Sequence, residues 1–153
     1  MDSKVCLSID EKKYTYDIVK TFKNEMGMEI FRLKVKVANT EYTNKHDYDC
    51  MEYAIIDLQK QLPNNIQIVC CESCKHGNFH PAGNDENKIF CLRDYTPHNK
   101  SDVAGIFIDD DYSRLPKNTA IYSNELLHWC DKYDRINDNY YTYNDWISIL
   151  ERS

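Results

Sequence analysis

The chain has 153 residues, with 25 Asp and Glu against 19 Lys and Arg and a formal charge of −6, which is the size of one domain able to bury a working core without disulfides. An isoelectric point near 5.3 excludes a large phosphate-binding surface, because nucleic-acid affinity rests on Lys and Arg, and it favours solubility and basic partners instead. No apolar stretch approaches the roughly 20 residues that span a bilayer, and no basic and apolar leader opens the sequence, so a soluble, cytoplasmic protein with no membrane partner is expected.

The charge is uneven. Residues 1–62 hold 10 basic against 11 acidic side chains, and residues 63–153 hold 9 against 14, so the excess negative charge lies in the second half.

Val5, Leu7 and Ile9 alternate with polar residues, and after Asp10-Glu11-Lys12-Lys13 a second alternation runs through Tyr14, Tyr16, Ile18 and Phe22. Period two broken by a polar turn predicts a hairpin. A turn at Asn24-Glu25-Met26-Gly27 leads to a third strand, with Phe31, Leu33, Val35 and Val37 on an apolar face and Ile30, Arg32, Lys34 and Lys36 on a mostly basic one. The period then changes: Met51, Ile55, Leu58 and Leu62 mark an amphipathic helix starting near Asp47 and ending before Pro63. Residues 66–70 read as a returning strand. The fold class is therefore α+β, a three-stranded antiparallel meander plus a returning strand packed on a helix.

Further on, Lys88 to Leu92 reads as a short strand and Ala104 to Ile108 as another apolar run. Leu126, Trp129, Cys130 and Tyr133 fall at helical spacing behind Ser123 or Asn124 as cap, and Thr142 with Asp145 resembles a capping box before Trp146, Ile147 and Leu150. One domain, 1–153, is expected: sheet and helix over 1–70, then a cysteine loop and helical C-terminal part over 71–153.

Seven cysteines are an odd number and two are adjacent, which suits a reduced chain better than a paired secreted framework. Cys71 and Cys74 stand three positions apart. A polar loop of sixteen residues, broken by Gly77, Pro81 and Gly83, returns the chain to Cys91. That spacing lets one turn grip an ion with two sulfurs while a third comes back to it. A structural zinc site needs a fourth ligand, with His76, His80, His98, Cys70 and Cys130 as candidates. Cys70 points away from Cys71 if both continue a strand, whereas the expected helix turns Cys130 inward. The preferred set is Cys71, Cys74, Cys91 and Cys130, with His80 as substitute, and Cys6, Cys50 and Cys70 are read as ordinary buried thiols. Gly77 and Pro81 follow Cys74 too closely for the helix start that a thioredoxin-like thiol needs; an iron–sulfur cluster remains compatible with four thiolates.

Cys71-x2-Cys74, then Cys91-Leu92-Arg93, then Cys130-Asp131-x-Tyr133 resembles a group of small uncharacterised bacterial proteins with C-x2-C, Cys-aromatic-Arg and Cys-acidic-x-aromatic motifs. The likeness covers residues 70–135 and departs from the group at Leu92, where an aromatic is common. It implies no activity, but it supports Cys130 as the fourth ligand.

Other patterns are weaker. Asp109-Asp110-Asp111 lacks the ligand alternation of a calcium loop and reads as an acidic turn. No nucleophile elbow, phosphate loop or His-Glu-x-x-His occurs, and four glycines leave little material for phosphate cradles. Arg32, Lys34 and Lys36, with Lys20 and Lys23, read as a solvated basic face. The 12 tyrosines are more distinctive, since tyrosine covers apolar surface and hydrogen-bonds at once. Tyr133, Asp134, Asp138, Tyr140, Tyr141 and Tyr143 are the candidate partner-binding residues. The expected function is a non-catalytic, zinc-stabilised protein-binding domain, of the kind an immunity or inhibitor protein uses against a basic toxin or nuclease. The alternatives are a metal- or thiol-dependent enzyme built on Cys71, Cys74 and Cys91, and a zinc-stabilised nucleic-acid regulator.

Overall fold

The computed structural model describes residues 2–26, 28–83, 87–108, 115, 121–138 and 141–152. Its first half is the α+β unit that the alternation predicts. Strands β1 (Asp2–Ile9), β2 (Lys12–Glu25), β3 (Met28–Val37) and β4 (Thr40–Thr43) form a meander, and β5 (Ile66–Val69) returns beside β1, giving the antiparallel order β4-β3-β2-β1-β5. The turns are shorter than the polar runs imply. Asp10 and Glu11 both adopt positive φ, so two residues close the first hairpin, and β2 begins at Lys12. Strand β4 is an addition to the sequence reading, because Thr40-Glu41-Tyr42-Thr43 is too short and polar to show an alternation.

Val5, Leu7, Ile18, Phe31, Leu33, Val35, Ile66 and Ile68 are buried on one face of this sheet. Helix α1 (Met51–Gln61) covers them with Met51, Ala54, Ile55 and Leu58. It starts four residues later than expected from Asp47 and stops at Leu62, whose extended backbone fits the residue before a proline.

Two buried amide side chains finish this sheet. Gln59 reaches from α1 to β5, where its Nε2 donates to the Ile66 carbonyl at 3.0 Å and its Oε1 accepts the Ile68 N–H at 2.7 Å. Beyond the end of β4, Asn44 treats β3 in the same way: Oδ1 accepts Leu33 N–H at 2.8 Å and Nδ2 donates to Phe31 O at 3.2 Å. Each amide replaces a neighbouring strand, so these edge groups are not left as a template for pairing.

The second half holds a smaller sheet, β6 (Gly77–Asn78), β7 (Lys88–Cys91) and β8 (Tyr122–Glu125), in the order β6-β7-β8. The apolar run near Ala104 lies in helix α2 (Lys100–Phe107), capped by the Asn99 side chain accepting from Asp102 N–H. The helix expected over 126–133 is absent. Ser123 and Asn124 belong to β8, and residues 126–133 form turns. Their carbonyls are used elsewhere: Leu126 O and His128 O accept N–H groups of Glu72 and Cys71, so tertiary bonds override a chance helical spacing. Helix α3 (Trp146–Leu150) is present but short; its N-cap position is Asp145, whose side chain makes no capping bond, and the Trp146 N–H donates instead to Asn144 Oδ1, with Thr142 taking no part.

Replacing Gln59 by Ala strands Ile66 C=O and Ile68 N–H, at roughly 1–3 kcal/mol for each buried group left unpaired. Urea unfolding is expected to show that loss, with Gln59→Glu in between because it keeps the acceptor for Ile68. A Gln59→Ala protein as stable as wild type would mean the edge is held by something else.

Candidate functional site: a four-cysteine cavity

Strand β5 ends at Val69, and the chain enters a single 3-10 turn, Cys71–Ser73, within two residues. The turn is hydrogen-bonded on both sides. Cys71 N donates to His128 O at 2.7 Å, Lys75 N to Asp134 O at 2.8 Å and Ile136 N to Ser73 O at 3.0 Å, so residues 126–136 wrap one side. On the other, Leu92 N donates to His76 O at 2.9 Å and Gly77 pairs with Cys91. Backbone bonds draw together three segments carrying four cysteines.

Cys71, Cys74, Cys91 and Cys130 all line one cavity of about 100 Å³, together with His76, Arg93, Tyr122, Asn124, His128 and Trp129. The first three are buried and Cys130 is half-exposed. Cys130 arrives from a turn, not from the helix face that the sequence suggests. Among the described residues, no group of three or more His, Cys, Asp or Glu side chains is disposed to hold a metal ion as placed.

The sulfurs nonetheless receive N–H donors. Asn124 Nδ2 lies 3.6 Å from Cys71 Sγ. Backbone N–H groups of Asp134 and His76 approach Cys74, that of Arg93 approaches Cys91, and the Arg93 guanidinium lies near Cys130. Arg93 is held over the Tyr122 ring at 3.9 Å. Donors favour the thiolate, but desolvation is larger: burial first, then neighbouring thiols and carboxylates, pushes Cys71, Cys74 and Cys91 up. Burial therefore keeps these three thiols protonated at neutral pH, although the Arg93 guanidinium opposes it at Cys91.

His80 does not line this cavity. Its Nδ1 accepts from Ala82 N–H at 3.1 Å, so Nε2 carries the proton toward Phe107 O at 3.2 Å, and the ring packs against Phe90 and Phe107. Cys6 and Cys70 are buried and Cys50 is half-exposed. Of the expected partner residues, Tyr133 is half-buried with its hydroxyl 3.0 Å from Ser73 Oγ, Asp134 is exposed and paired with Lys75, and Asp138 is exposed. Tyr141 and Tyr143 are half-buried. Tyr140 and the Asp109-Asp110-Asp111 run lie outside the described residues.

Several participants gave little signal in the sequence. His128 and Asn124 fall inside the stretch read as a helix and its cap. Glu72 reads as a loop residue, yet it is fully buried, and neither carboxyl oxygen has a hydrogen-bond partner. Burial first, then Glu52 and Cys50, pushes its carboxyl well above the usual carboxylate range. Glu52 on α1 is pushed up to about 7 by burial and by Asp145.

Gly77 is required by space. A Cβ there would stand 2.1 Å from Cys71 O and 2.8 Å from Ile89 Cδ1, so Gly77→Ala is expected to cost at least the ~1–3 kcal/mol of an overpacked core, read as a fall in urea midpoint. A second expectation concerns pH. The folded pKa of Glu52, about 7, lies above its ordinary 4.5, so the folded state binds more protons between these values and loses stability as pH rises through them. Glu52→Gln should raise Tm at pH 8, with the gain shrinking toward pH 4.5; a gain equal at both pH values would remove Glu52 as its source.

No family model matches the chain, nor does any curated protein or solved structure, so the likeness to small bacterial proteins rests on the short motifs alone.

Proposed function

We propose that the protein is a non-catalytic binding domain of the cytoplasm, stapled by a structural zinc ion on Cys71, Cys74, Cys91 and Cys130, and that it docks a basic protein as an immunity or inhibitor protein does. The observation that carries the reading is the convergence of these four cysteines from three chain segments on one cavity. The donor chemistry fits: four soft sulfurs, three of them buried, with N–H groups directed at them, are what a zinc tetrathiolate uses. On this reading the sulfurs come onto one centre when the metal binds, since they are not grouped for one as placed. Zinc would supply the positive charge that lets the thiols shed their protons, and it would tie the 71–74 turn to β7 and to residues 126–136.

The same pKa directions count against a thiol nucleophile, since a reactive cysteine needs its thiolate stabilised rather than desolvated. The nucleic-acid reading loses a cation: Arg32 donates to Asn44 O at 2.8 Å and is paired with Asp47, which leaves Lys34 and Lys36 as the exposed charges of that row. All seven cysteines are free thiols, as a reducing compartment requires. Among the described residues no helix is long and apolar enough to cross a membrane.

Metal analysis of protein purified without added metal is expected to give roughly one zinc per chain. Chelation, Cys91→Ser and Cys130→Ser should each release it and lower Tm, whereas Cys50→Ser should do neither. Iron in place of zinc would replace the cofactor and keep the site; protein that carries no metal and tolerates the cysteine substitutions would overturn it.

A further inference from the structure

The wall of the four-cysteine cavity carries a charge opposite to that of the whole chain. Among the described residues that line it, Arg93 and Lys132 are cationic and no Asp or Glu contributes, although the protein has a formal charge of −6. Four thiolates around one Zn²⁺ leave two negative charges over, and taking that charge out of water is costly unless it is paired. Two cations in the wall are matched to such a centre.

They are not equivalent. Lys132 is exposed. Arg93 follows the end of β7 by two residues, and its guanidinium lies 3.9 Å from the centre of the Tyr122 ring. Tyr122 pairs with Cys91 across β7 and β8, so the aromatic brace belongs to the same sheet as the third sulfur. From this position the guanidinium lies near Cys130, and its charge reaches Cys91.

Cys130 is the sulfur most in need of a partner. Cys71 and Cys74 bracket the 3-10 turn, Cys91 is paired in β7, and all three are buried. Cys130 is half-exposed and lies outside any helix or strand. Burial and backbone pairing place three ligands and leave the fourth to its side-chain neighbours.

We propose that Arg93 is a positioning residue of the metal centre: braced on Tyr122, it holds the Cys130 sulfur in place as fourth ligand and offsets the charge of the thiolates. The inference rests on the zinc reading and adds to it the residue that completes the site. Partners of this outer kind orient ligands and tune affinity, and the planar guanidinium has no equivalent in lysine.

The test measures zinc affinity of the full chain against a chromophoric chelator and records the visible bands of the Co²⁺-loaded protein, which separate four-sulfur from three-sulfur ligation. Arg93→Gln is expected to weaken zinc binding about tenfold or more and to move the Co²⁺ bands toward three sulfurs. Arg93→Lys should recover only part of the loss. Lys132→Gln should cost less than about threefold, because solvent and salt screen an exposed charge. In the Cys130→Ser protein, titrated with added zinc at its weaker affinity, Arg93→Gln should cost little more, since the two residues act through one contact. An Arg93→Gln loss that is as large without the Cys130 sulfur, or that Lys132→Gln equals, overturns the positioning role. Zinc affinity and Co²⁺ bands unchanged by Arg93→Gln overturn it too and leave the zinc site standing. Wild-type protein that takes up neither metal overturns both.

Discussion

The second half of the molecule depends on one close approach, the passage of Gly77 against the carbonyl of Cys71. A side chain of any size at position 77 would occupy the space of that oxygen. Its absence lets residues 70–79 fold into a strip narrow enough to be hydrogen-bonded from both sides. Thr142 Oγ1 donates to Gly77 O at 2.6 Å, Asn144 Nδ2 to Glu72 O at 2.7 Å, and buried Asn78 accepts Tyr143 N–H at 2.6 Å. With the bonds to residues 126–136 and 92, nearly every described segment of the second half meets this strip. The cysteines converge because the strip is the shared spine, and β6 holds its place with two residues for the same reason.

The two halves are stabilised by different physics. In the first, long antiparallel strands bury a continuous apolar face under α1, and burial of that kind is non-directional and tolerant of small shifts. In the second, short strands and turns are fixed by polar anchors such as Ser73, Asn78, Thr142 and Asn144. A satisfied hydrogen bond adds about 1 kcal/mol net, while stranding its partner costs more. A structure built this way is intolerant of loosening and gains little from each bond, which is where a metal cross-link adds most.

Legibility in the sequence follows the same division. The strands of the meander show plainly, because half-buried strands impose period two and no other element does. Strand β4, Asn44 and Gln59 were hidden: a four-residue polar strand has no pattern, and an amide standing in for a strand looks like any surface polar residue. Leu126, Trp129, Cys130 and Tyr133 display a helical period that the fold ignores, since the carbonyls of that segment bond to the Cys71–Ser73 turn. Cys130 was thus placed beside the other thiols by an argument from a helix that does not form. The spacing of Cys71, Cys74 and Cys91 was legible because it is local; the donors Asn124 and Arg93, and the buried Glu72, were not, because their roles arise only from long-range packing.

Residues 130–138 run from the cavity to the surface beside α3. Cys130 faces the thiols, Cys74 forms a β-bridge with Arg135, Ser73 accepts from Ile136, and Ile136 to Asp138 then build the wall beside α3. Arg135 follows Cys130 by five positions in the chain. Lys75, paired with Asp134 at 2.8 Å, fixes the middle of that span. On the proposed reading, a metal on the four sulfurs anchors one end of this segment and the Ser73 and Cys74 backbone anchors its centre, so the segment is set before any partner arrives. Pre-ordering of that kind lowers the entropy lost on association. On that reading a structural metal takes part in binding although it touches no partner.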